Sequence, residues 1–104
     1  MKIFFSEYFK RQLKKLCKKY PNAKEDLLAA FEKFDPENAI SIGRSVFKIR
    51  VASSDMGKGK SSGFRAYLYV YVRRGVVSPL CVYAKARVES ISENELKYHL
   101  DAVI

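Results

Sequence analysis

A chain of 104 residues, 48% hydrophobic and 30% charged, with five glycines, three prolines and no low-complexity run, has room for one domain spanning residues 1–104 and none for a second. No apolar stretch approaches the roughly 18 residues that cross a bilayer, and no apolar run with a small-residue cleavage site opens the chain, so a cytoplasmic protein without a membrane partner is expected. The net charge of +9 is concentrated: ten Lys or Arg residues stand between Gly43 and Arg87 against one acid, Asp55, while the rest of the chain is neutral as a set, which points to a partner rich in phosphate.

Lys2 to Phe5 reads as a short opening strand. Ser6 can cap a helix in which Phe9, Leu13, Leu16, Cys17 and Tyr20 form one apolar stripe. Lys10, Arg11, Lys14, Lys15, Lys18 and Lys19 take the opposite face, either as a solvated surface or as a contact for the ribosome or an acidic partner. Pro21 ends this helix. Asn22 with Glu25 resembles a capping box opening a second one, whose apolar positions are Leu27, Leu28, Phe31 and Phe34. A turn this short makes the pair an antiparallel hairpin, closed by Asp35-Pro36-Glu37-Asn38 because the residue before proline leaves helical geometry.

From Val46 the period falls to two. Phe47, Ile49 and Val51 alternate with Lys48 and Arg50, and Phe64 to Val72 and Leu80 to Tyr83 supply two further strand-like runs. Arg74-Gly75 marks a tight turn between those two, and Pro79, which cannot donate to a ladder, marks an edge or a bulge. Ser53 to Gly63 is a polar, basic, glycine-bearing loop suited to ligand contact. Ser92 and Glu95 cap a last helix with Leu96, Leu100 and Val103 on one stripe. The predicted class is α+β: an N-terminal helical hairpin on a twisted antiparallel sheet of about four strands, with a C-terminal helix.

Alternation puts Lys48 and Arg50 on one face of their strand, and antiparallel pairing can bring Arg65, Tyr67, Tyr69, Tyr71, Tyr83 and Lys85 beside them. Cations among tyrosines suit single-stranded RNA, because Lys and Arg neutralise phosphates while rings stack on unpaired bases; the same tyrosines can equally be half-buried sheet residues. Gly59-Lys60-Ser61 does not make a nucleotide phosphate loop, since Ser54 stands where that loop needs a glycine and a strand follows where it needs a helix. Cys17 and Cys81 have no metal-ligand spacing and read as free thiols, and no cofactor or metal is implied. With one histidine, His99, outside the basic stretch, chemistry there must run on cations, as RNA cleavage by the neighbouring 2′-hydroxyl can.

Phe47-Lys48-Ile49-Arg50-Val51-Ala52-Ser53, Gly57-Lys58-Gly59-Lys60, Gly63-Phe64-Arg65 and Tyr83-Ala84-Lys85, taken together over about residues 43–100, resemble the RelE/HigB branch of the RelE/ParE toxin superfamily. The resemblance implies a helical hairpin on an antiparallel sheet. It also implies the toxin component of a type II toxin-antitoxin system, an endoribonuclease that cuts mRNA on the ribosome and is neutralised by a cognate antitoxin. By position, Lys48, Arg50, Arg65 and Lys85 take the catalytic places, and Lys58, Lys60, Arg44, Tyr67, Tyr83 and Arg87 the RNA-binding ones. The chain departs from the pattern at Ala86, where an arginine is expected and Arg87 can substitute, and at Ile91 and Ser92, where a tyrosine is expected. Similar folds also include gyrase poisons, so the alternatives are a toxin or binding protein of this fold acting on a target such as gyrase, or a catalytically inactive RNA-binding protein.

Overall fold

The computed structural model describes residues 2–57, 62–85 and 91–101. After a two-residue strand β1 (Lys2–Ile3), the Ser6 hydroxyl accepts the Phe9 amide at 3.0 Å and opens α1 (Glu7–Lys19), as the spacing predicts. The second cap differs from expectation. Asn22 makes no side-chain capping bond to α2 (Ala23–Glu32); its backbone and side-chain amides instead donate to Asp55, at 2.8 and 2.9 Å, across 33 residues of sequence. Asp26 in turn accepts the Ser54 amide at 2.8 Å. The start of the loop that opens at Ser53 is therefore pinned to the N-terminal turn of α2, with two carboxylates satisfying amides that would otherwise be orphaned. Asp35 closes the hairpin by capping a 3-10 turn at Pro36–Asn38.

The sheet has five strands, one more than predicted, and is mixed: the order is β1-β5-β4-β3-β2, with β2 at Ile40–Ser41, β3 at Val46–Val51, β4 at Phe64–Tyr71 and β5 at Val76–Ala84. β1 runs parallel to β5, a pairing invisible to short-range pattern, and β2 pairs with β3 over only two residues. β5 starts at Val76 rather than Leu80, because a bulge absorbs the proline. Pro79 faces Leu68, Leu80 is the extra residue, and pairing resumes at Cys81 opposite Tyr67. A 3-10 turn at Val72–Arg74 ends on Gly75 in the left-handed conformation and joins β4 to β5.

One sheet face is apolar across β3, β4 and β5. Val51, Phe64, Ala66, Leu68, Val70, Val77, Val82 and Ala84 pack there under Phe9, Ala23, Leu27 and Phe31 of the hairpin. Gln12 ties α1 to β5 by accepting the Val82 amide at 3.0 Å. Among the described residues the opposite face is covered only in part. The C-terminal helix α3 (Glu93–Asp101), which begins at the Ser92 cap, lays Leu96 and Leu100 with Ile91 over Val46, Tyr67, Leu80 and Cys81.

Candidate nucleic-acid interface

The β3–β4–β5 register settles which side chains share the partly covered face. Arg50 stands opposite Arg65, and Arg65 opposite Tyr83, in one row across three strands; Lys48, Tyr67 and Cys81 form the next row. Directly opposed positions place Cβ atoms about 5 Å apart, so the two guanidinium groups and the Tyr83 phenol belong to a single cluster. Lys48 joins it, its Nζ lying 5.8 Å from the Tyr67 ring centroid. Lys85 follows just beyond β5, and its amide donates to the Gly63 carbonyl at 3.1 Å, which fixes this end of β5 against the entry to β4.

Arg65 is only 5% exposed, yet the single salt bridge found among the described residues is Lys10 to Glu7, far away on α1. Its Nη1 donates to the neighbouring Phe64 carbonyl at 3.1 Å, one of the five N–H donors a guanidinium carries. A buried cation without a counter-ion is expensive, and an arriving phosphate oxygen lowers that cost. A cleft of about 530 Å³ leads to it, lined by Lys48, Arg50 and Arg65 on one side and by Lys33, Asp35 and Asn38 on the other.

The tyrosines divide. Tyr67 is 3% exposed, its ring 6.1 Å from that of Tyr83 and covered from the α3 side, so in this arrangement it forms the floor of the cluster and presents no open face for stacking. Tyr83 is half-buried, and its hydroxyl lies 3.5 Å from that of Tyr67. Burial, reinforced by the Tyr67 hydroxyl, pushes its phenol pKa up, so at neutral pH it is a hydrogen-bond donor and not a base. Cys81, buried beneath α3, is pushed up to about 12 by desolvation and then by Glu95, which makes it inert.

Arg44 sits away from this cluster, at the exposed tip of the β2–β3 hairpin. It and Ser45 take φ of +55° and +63° inside a turn closed by the Val46 amide on the Gly43 carbonyl at 3.0 Å. Lys58, Lys60 and Arg87 lie outside the described residues, as does Val103 of the last apolar stripe. Sequence reasoning missed the contribution of Gly63. Its φ is +86° and a Cβ there would come within 2.6 Å of the Val51 carbonyl oxygen, so only glycine lets β4 leave the loop close enough to β3 for Arg65 to face Arg50. The signal was the glycine directly before the Phe64 strand run.

Among the described residues no group of three or more His, Cys, Asp or Glu side chains could hold a metal ion, and no helix is long and apolar enough to cross a membrane. No protein-family model matches the chain, and no curated protein matches it. Among solved structures, a mutant of the E. coli toxin RelE in its free state superposes with a TM-score of 0.57 at 19% identity, covering 99% of this chain and 96% of that one. The N-terminal helical hairpin and the C-terminal helix correspond, and the chain has a RelE-like fold.

Proposed function

We propose that this protein is the toxin of a type II toxin-antitoxin pair, a ribosome-dependent mRNA endoribonuclease held inactive by a cognate antitoxin. The observation that carries the reading is the buried Arg65 guanidinium, lacking any carboxylate partner among the described residues and set directly opposite Arg50. Like charges at facing positions destabilise a sheet, and an RNA phosphate between them reverses the sign of the interaction.

In the cleavage step the ribose 2′-oxygen bonds to the adjacent phosphorus as the bond from phosphorus to the 5′-oxygen breaks. The proton leaves the 2′-hydroxyl and a proton reaches the departing 5′-oxygen, so the products are a 2′,3′-cyclic phosphate and a 5′-hydroxyl. Arg65 grips the phosphoryl oxygens, Lys48, Arg50 and Lys85 surround the charge that builds on them, and Tyr83 donates to an oxygen of the same group. Arg44, Lys58, Lys60 and Arg87 are assigned to binding RNA through its phosphates, a contact without sequence preference. Preference for particular codons must then come from the ribosome or from base contacts at the cleft.

The test is to induce the wild-type chain and Arg65→Ala in growing cells and map 5′ ends on a translated and an untranslatable copy of one transcript. Cuts confined to the translated copy and lost with Arg65→Ala are expected. Growth arrest with intact mRNA would sink the nuclease reading and turn attention to a target such as gyrase.

A further inference from the structure

We infer that the outer face of α1 is a second RNA contact, one that docks the phosphate backbone of a double-helical RNA segment independently of the sheet cleft. Lys10, Arg11, Lys14, Lys15, Lys18 and Lys19 are all exposed. At 100° per residue they cover a half-cylinder of about 180° and run about 13 Å along the helix axis. One acid, Glu7, lies on that surface, and it pairs with Lys10 at 3.2 Å, leaving the other five cations without an ion pair among the described residues. Such a one-signed surface opposes itself, since like charges three and four residues apart destabilise a helix.

The chemistry of the face selects its partner. The apolar side of α1 is committed to the core, where Phe9 is fully buried and Leu13, Leu16 and Cys17 pack beside it, so nothing remains to insert into a lipid surface. Neither flanking tyrosine is an open ring for stacking unpaired bases: Tyr20 packs edge-on to Phe64 at 5.4 Å, and Tyr8 packs on His99 at 5.2 Å. Five of the six cations are lysines, the residue protein interfaces deplete. What is left is recognition of closely spaced phosphates by shape and charge, as a duplex presents them.

The placement gives this surface a task. α1 lies over the apolar face of the sheet, while Lys48, Arg50 and Arg65 lie on the other. One RNA segment cannot serve both, so α1 anchors the protein to structured RNA while a separate single strand enters the cleft. Structured RNA is chosen over a DNA duplex on the strength of the proposed ribosomal activity, and the measurement below keeps the two questions apart.

The experiment measures fluorescence anisotropy of a 20-bp RNA duplex of arbitrary sequence, about 50–200 mM KCl, with the wild-type chain, a Lys14→Gln/Lys15→Gln/Lys18→Gln triple variant, the matching triple Lys→Arg variant, and Arg65→Ala. Circular dichroism checks that each is folded. The Gln variant is expected to bind at least about tenfold more weakly, with a plot of log affinity against log salt shallower by about three, one unit per contact removed. The Arg variant should restore both, and Arg65→Ala should keep duplex binding within about twofold whether or not it abolishes cleavage. Duplex affinity and salt slope unchanged in the Gln variant would overturn the inference. So would preferential binding of the wild-type chain to a DNA duplex, to vesicles of phosphatidylglycerol or to an acidic peptide.

Discussion

Gly63→Ala is the sharpest perturbation available at the cleft, because two independent penalties fall on one methyl group. At φ +86° a residue with a Cβ costs about 1–2 kcal/mol against glycine. The new carbon would also meet the Val51 carbonyl oxygen at 2.6 Å, and this neighbour is backbone at the end of β3, paired with Phe64 of β4, which cannot swing aside as a side chain would. Relief requires moving the entry of β4 off β3, which strains the Lys85 amide bond to the Gly63 carbonyl, worth about 1 kcal/mol. The sum is about 3 kcal/mol. With a urea dependence of about 1.5 kcal/mol per molar for a domain of this size, the unfolding midpoint should fall by about 2 M. The chain has seven tyrosines and no tryptophan, so tyrosine fluorescence and far-ultraviolet circular dichroism report the transition. Gly57→Ala is the control, because nothing lies within 4 Å of its added carbon and its φ lies outside the left-handed range. A Gly63→Ala midpoint within about 0.5 M of wild type would refute the account of how β4 is set against β3.

Three further outcomes are expected. Replacing Arg44-Ser45 by Asn-Gly should raise stability by about 1 kcal/mol in the same urea assay, because both residues sit at positive φ, where a hairpin turn favours that dipeptide; a loss would show that the strain is absent. Burial lowers the His99 pKa from 6.5, with Glu95 opposing, and its Nδ1 is enclosed without a hydrogen-bond partner among the described residues. The unfolded chain therefore binds that proton more tightly, so the neutral ring's contribution is complete above about pH 6.5 and is lost as pH falls through the lower folded value. The melting temperature should drop between pH 7.5 and 5, and less so in His99→Gln. Arg50→Gln should stabilise the fold by about 0.5 kcal/mol at low salt while abolishing growth arrest, with the gain shrinking as salt screens the opposed charges; a variant less stable than wild type at low salt would contradict the repulsion.

The sequence announces its local chemistry more readily than its long-range pairing. Ser6 caps α1 and Ser92 caps α3 as their spacing predicts, and the alternation through Phe47-Lys48-Ile49-Arg50-Val51 correctly separates a cationic face from an apolar one. Asn22 misleads because its competitor, the Asp55 carboxylate, lies 33 residues away and offers a charge-assisted acceptor. β1 and β2, two residues each, carry no period to detect, and the parallel partner of β1 is set by where β5 happens to lie. The tyrosine assignment turns on the same limit. A period of two places Tyr67 and Tyr83 on the cationic face, but only the position of α3 decides that Tyr67 is floor and Tyr83 is wall.

That position also explains why the cationic row can exist at all. A sheet with one face sealed by a helical hairpin and the other by a full-length helix would have to bury Arg50 and Arg65 together, and two uncompensated guanidinium groups in a dry layer would outweigh much of a small domain's stability. Here α3, over its described residues, covers part of the face. Leu96 and Leu100 cover the end of the face carrying Val46, Leu80 and Cys81, and the ring of Tyr67 marks the boundary, apolar toward α3 and offering its π face toward Lys48. Beyond it Arg50 is exposed and Arg65, nearly buried, lines the cleft, so the charges keep enough water to be tolerated and lose enough to favour an anion. The apolar contacts on the sealed face supply the stability that the open end gives up, and the cationic row lies at the border between the two.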